Sequence, residues 1–164
     1  MFIFCIFLYI MFAEAGVCNV LSESDMKNPT LLTNEGWKYL SKGGSQNYDK
    51  AEEYFRKALI INSYYADAYA GLGRLIMGRN RRPNGDYQKE ECKEALALFD
   101  KAISLDKRCY RAQFNKGMAL LCLEDYDAVL SIADVLEDQN SICEPHYFKA
   151  KAYKGKFLSK KEEH

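Results

Sequence analysis

Three stretches of fifteen residues in this chain lie over one another without a gap: YDKAEEYFRKALIIN (48–62), CKEALALFDKAISLD (92–106) and YDAVLSIADVLEDQN (126–140). Ala51, Ala95 and Val129 fall in register, as do Phe55, Phe99 and Ala133, and then Ala58, Ala102 and Leu136. Positions spaced four and then three residues apart share one helix face, so each stretch reads as a helix with an apolar stripe. One such helix cannot bury that stripe alone. Its recurrence at steps of 44 and then 34 residues predicts a stack of copies of one supersecondary unit, each covering its neighbour.

The other member of each unit lies upstream. ADAYAGLGRLI (66–76) precedes the second stretch and RAQFNKGMALL (111–121) the third. Gly73 facing Ala95, and Gly117 facing Val129, would let the two helices of a hairpin approach closely while Phe99 or Leu120 fills the space beside them. Helix ends are legible too. Asn28 before Pro29 is an N-cap followed by Pro at the first helical position, and Gly43-Gly44 stops that helix. Asn47 and Asp125 are expected to cap the second helices of units one and three. Glu144-Pro145 opens the last helix, whose Lys-rich end suits the helix dipole and which reads as a polar cap on the array.

These residues resemble the tetratricopeptide repeat family, on the strength of Leu72, Gly73, Ala95, Phe99 and Ala102 in unit two and Gly117 with Tyr126 in unit three. The family's usual Pro at the repeat end is replaced by Ser63, Lys107 and Ser141, and the turn between Gly73 and Ala95 is about ten residues longer than that between Gly117 and Val129. The resemblance implies an all-α, right-handed superhelical solenoid of about three hairpins (30–63, 66–107, 110–141) plus a capping helix (144–160), within a repeat domain of residues 28–164. It also implies a protein-interaction module or adaptor that takes a peptide or helix in a concave groove. Carried over by position, that groove would present Asp67, Ala70, Arg74 and Met77 from unit two and Arg111, Phe114, Met118 and Leu121 from unit three, with Thr33 and Trp37 from unit one. The family's carboxylate-clamp subgroup is not matched, because Gly71 stands where an Asn is wanted.

The first twelve residues, MFIFCIFLYIMF, are apolar, with no Lys or Arg, and Ala13-Glu14-Ala15 follows. Such a run is shorter than the roughly 20 residues that span a bilayer and matches a signal-peptide core with an A-x-A-like cleavage site. A cleaved signal over 1–15, a linker over 16–27 and a location in the secretory pathway or outside the cytoplasm are therefore expected. If the run were retained, it would tether a membrane-anchored assembly or structural factor. Charge is balanced at 23 basic and 23 acidic residues, with only three Pro, which points to an ordered chain and away from nucleic acid.

Catalytic material is scarce. The two histidines are His146 and the terminal His164, no Gly-rich phosphate loop is present, and no cysteines have metal-ligand spacing, so an enzyme, a cofactor and a metal are not expected. Cys92 starts the second helix of unit two and Cys122 ends the first helix of unit three. Those helices should run antiparallel, which makes the pair a candidate disulfide in an oxidising compartment. Cys109 and Cys143, in equivalent loops, are expected to lie too far apart to bridge. The insertion GRNRRPNGDYQKEE (78–91) offers Arg79, Arg81 and Arg82 as a basic site for an acidic partner or anionic lipid, around a turn with Asp86 as the following N-cap.

Overall fold

The computed structural model describes residues 22–79, 81, 82, 84–139 and 144–162. The signal-peptide and linker expectations for residues 1–21, and those for Cys18, Pro83, Cys143 and His164, lie outside this set. Seven α-helices follow one another: α1 Pro29–Lys42, α2 Ser45–Ile61, α3 Ala66–Arg79, α4 Lys89–Leu105, α5 Tyr110–Cys122, α6 Tyr126–Asp138 and α7 Glu144–Glu162. A 3-10 turn, Asp25–Lys27, precedes them and packs Met26 against the first hairpin. Consecutive helices pack as hairpins, with α1 on α2 and α3 on α4, and the first helices of units two and three, α3 and α5, also touch. The described residues form an all-α array of helical hairpins.

The array is set by aromatic rings pressed onto glycines. A β-carbon on Gly36 would sit 2.6 Å from the Phe55 ring, and one on Gly73 would sit 2.6 Å from Phe99, so each second helix drops a Phe into a first helix that has no side chain there. Phe55 also lies against Gly71 of the next unit, so one fully buried ring joins two hairpins. Unit three departs from this pattern. Ala133 occupies the Phe register, and the vacated space is filled by Phe148 of α7, whose ring would meet a β-carbon on Gly117 at 2.7 Å. Leu120 packs in the same cluster as Val129, as expected. α6 accordingly packs more on α7 than on α5, and Lys149 ties the two by ion pairs to Asp134 (2.9 Å) and Glu137 (2.6 Å).

Two N-cap expectations hold and two fail. Asn28 accepts from the Thr30 and Leu31 backbone N–H groups, and Asp125 accepts from Ala128. Asn47 lies inside α2, which starts at Ser45, and its amide donates to the Gly43 carbonyl at 2.7 Å. Asp86 precedes α4 by three residues and instead accepts from Asn84 within the insertion turn. The last helix is less polar than a solvating cap: Tyr153 and Phe157 lie on its outer face, 62% and 70% exposed, opposite the buried Phe148 and Ala152. Among the described residues no helix is long and apolar enough to cross a membrane.

Candidate partner-binding groove

Of the groove residues expected from the repeat frame, Phe114, Met118 and Leu121 follow one another along α5 on one partly exposed face. Phe114 is held between Tyr110 (ring centroids 6.1 Å apart) and Phe148 (5.6 Å). Together with Met118, Glu144 and Tyr147 it lines an apolar cleft of about 260 Å³ between α5 and α7. Met118 and Tyr147 are shared with a second, larger cavity of about 600 Å³, so the cleft continues into a basin. Leu121 and Leu158 supply apolar lining there, and the insertion stands across from α7.

The insertion is a wall. Tyr87 lies beneath two guanidinium groups, Arg74 of α3 at 5.4 Å and Arg81 at 5.0 Å, and its backbone carbonyl accepts from the Cys122 thiol at 3.5 Å. The Arg81 guanidinium also donates to the Gly85 carbonyl, while Arg82 and Asp86 close the turn through a backbone bond of 2.9 Å. Arg79 goes elsewhere. As the last residue of α3 it pairs with Asp49 (3.1 Å) and Glu52 (2.8 Å) on α2, so the three arginines form no common patch, and only Arg81 and Arg82 line the basin.

The remaining expectations divide. Asp67 and Arg111 form an ion pair at 2.5 Å, the Arg111 guanidinium lies 5.0 Å above the Trp37 ring, and the Trp37 indole N–H donates to Asp67 at 3.2 Å. This knot joins the first helices of all three units. It uses Asp67 and Arg111, two of the charges expected to face a ligand, while Arg74 lies over Tyr87. Met77 is a correction. It is fully buried among Cys92, Ala95, Phe99 and Ala119 and is unavailable to a groove ligand. Ala70 and Thr33 are likewise fully buried. The physical reason is that adjoining first helices pack on one another, so much of the inner face in units one and two is interior.

Cys92 and Cys122 come together as expected, packed in one cluster with both thiols free, and Cys92 fully buried. Burial, then the hydrogen bond and charge of Cys122, push the Cys92 thiol well above its ordinary range. Burial also raises the thiol of Cys109. His146 is an exposed first-turn residue. Among the described residues no three His, Cys, Asp or Glu side chains are grouped to hold a metal ion.

α7 also contributes to this surface, beyond its expected role as a polar cap. Tyr147, Lys151, Lys154 and Leu158 line the basin at spacings of four, three and four residues, which is one helix face. That spacing was readable, but reading the helix as a plain cap hid it. No family model matches the chain. It is 29% identical over 110 residues to anaphase-promoting complex subunit 3 of Schizosaccharomyces pombe, an alignment covering 52% of this chain and 16% of that protein. By its name, that relative is a subunit of a multiprotein complex.

Proposed function

We propose that this chain is a protein-interaction module of tetratricopeptide-like hairpins, whose inner side receives a peptide or helix from a partner protein. The observation that carries the reading is the cleft of Phe114, Met118 and Tyr147, where apolar side chains from two helices converge and stay partly open. Grooves of this kind accept the apolar face of a helix or an anchor side chain. The likeness to a subunit of a multiprotein complex supports an adaptor role without catalysis. A right-handed superhelical path for the array belongs to the same reading. Interface hot spots commonly lose about 2 kcal/mol or more on truncation. Affinity capture from the native host with the full chain should therefore lose its main partner when Phe114→Ala is combined with Met118→Ala, with helical circular dichroism retained. Equal capture by wild type and variant would overturn the reading.

We also propose export, supported by the apolar run at 2–12 and the Ala13-Glu14-Ala15 site. Mature protein from the host then begins near Gly16, and an intact Met1 would reject cleavage in favour of a retained anchor. In an oxidising compartment the adjacent Cys92 and Cys122 thiols join as a disulfide. Non-reducing digestion should release the linked peptides, whereas two freely alkylated thiols in exported material would rule the bridge out.

A further inference from the structure

We infer that the partner segment received by this groove is acidic, carrying Asp or Glu residues beside an apolar anchor. The inference rests on the groove reading above and adds the chemistry of the ligand. Five cations line the basin (Arg81, Arg82, Lys89, Lys151 and Lys154) against two carboxylates, Asp86 and Glu124. Both carboxylates are already engaged. Glu124 pairs with Lys89 at 2.8 Å, and Asp86 takes the Asn84 amide at 2.6 Å. Arg82, Lys151 and Lys154 make no ion pair with any described residue. Elsewhere on α7, Lys149 and Lys156 are paired, with Glu137 and Asp127.

The shape of the site matches the charge. The apolar cleft and the basic basin share Met118 and Tyr147, so an anchor side chain seated against Phe114 places the flanking residues of its own segment beside Lys151 and Lys154. Gly155 makes this possible. A β-carbon there would collide with the Tyr126 ring, so glycine lets α7 pass close over α6 with its lysine face turned into the basin. Clefts lined by one sign of charge raise the local concentration of the opposite sign and speed encounter, an effect that weakens with salt. The cations come from the insertion and the last helix. They do not come from the first-helix positions on which a carboxylate clamp depends.

The test is to pan a random twelve-residue peptide library against the full chain and against its Lys151→Glu, Lys154→Glu variant, with both melting temperatures recorded. Enrichment on wild type of sequences pairing Asp or Glu with an aromatic or aliphatic residue is expected. Selected peptides should bind the variant at least tenfold more weakly, and their affinity should fall between 50 and 500 mM salt. Apolar sequences enriched without acidic excess would overturn the acidic inference but leave the groove reading in place. No enrichment on either protein would count against both. Vesicles of phosphatidylcholine with phosphatidylserine form the last arm: sedimentation with wild type but not the variant, without acidic peptides, would assign the basin to a membrane surface and overturn the inference.

Discussion

At Gly117 the backbone of α5 and the ring of Phe148 share a space that holds one of them only if the other has no side chain. Gly117→Leu should therefore destabilise the domain by about 1–3 kcal/mol through overpacking. Phe148→Ala should cost about 3–5 kcal/mol by leaving a cavity under α7. Because both act on one contact, the double variant should be more stable than the two single costs predict when added, and strict additivity in urea unfolding would place the contact elsewhere. Glu124 is a second local case, with φ of 63° at the end of α5, where Asp125 and Glu124 donate to the Leu120 and Leu121 carbonyls. Glycine tolerates that conformation better, and the Lys89 pair lost with the carboxylate is solvent-exposed and worth little. Glu124→Gly should leave stability equal or raise it by about 0.5–1 kcal/mol. A fall of the unfolding midpoint would show that the ion pair outweighs the backbone. Residue identities foretold that glycines mark close helix contacts. They did not reveal which ring meets Gly117, since Ala133 leaves that place open and only the path of α7 brings Phe148 to it.

The helices themselves were legible because the small and aromatic positions recur at one helical spacing, and caps such as Asn28 and Asp125 accept from backbone N–H groups no more than three residues further on. Within the insertion the turn was legible, but its course was not. Its course depends on Tyr87 finding two arginines and the Cys122 thiol, which lies 35 residues away along the chain. The contact between α4 and α5 also places Cys92 in the interior, and this gives the fold an alkaline limit. A buried thiol is favoured in its neutral form, so the folded chain holds its proton more tightly than the unfolded one. Above the ordinary thiol value of 9.0 the unfolded chain releases protons that folded Cys92 and Cys109 keep. Their contribution to stability is complete below about pH 9 and falls as pH rises beyond it. In the reduced protein, urea midpoints should drop between pH 8 and pH 10, and less steeply in Cys92→Ala; equal slopes would show that Cys92 ionises freely when folded.

Across the described residues, the first helices are covered to different degrees along the array. In units one and two the first helices close over Thr33, Ala70 and Met77, while the Trp37, Asp67 and Arg111 knot fixes their stacking. Beyond the knot, α5, α7 and the insertion diverge and leave the cleft and basin open. The repeat pattern pointed to Phe114, Met118 and Leu121, which line this open end, but it treated all units alike and so also named the buried Met77. The function proposed above puts partner binding on this open end. Amide hydrogen exchange of the full chain, with and without its captured partner, tests the claim directly. Binding should slow exchange in 113–121, 144–158 and 84–88 while α2 and α4 exchange as before. Protection confined to α2 and α4, with α5 and α7 unchanged, would contradict the claim.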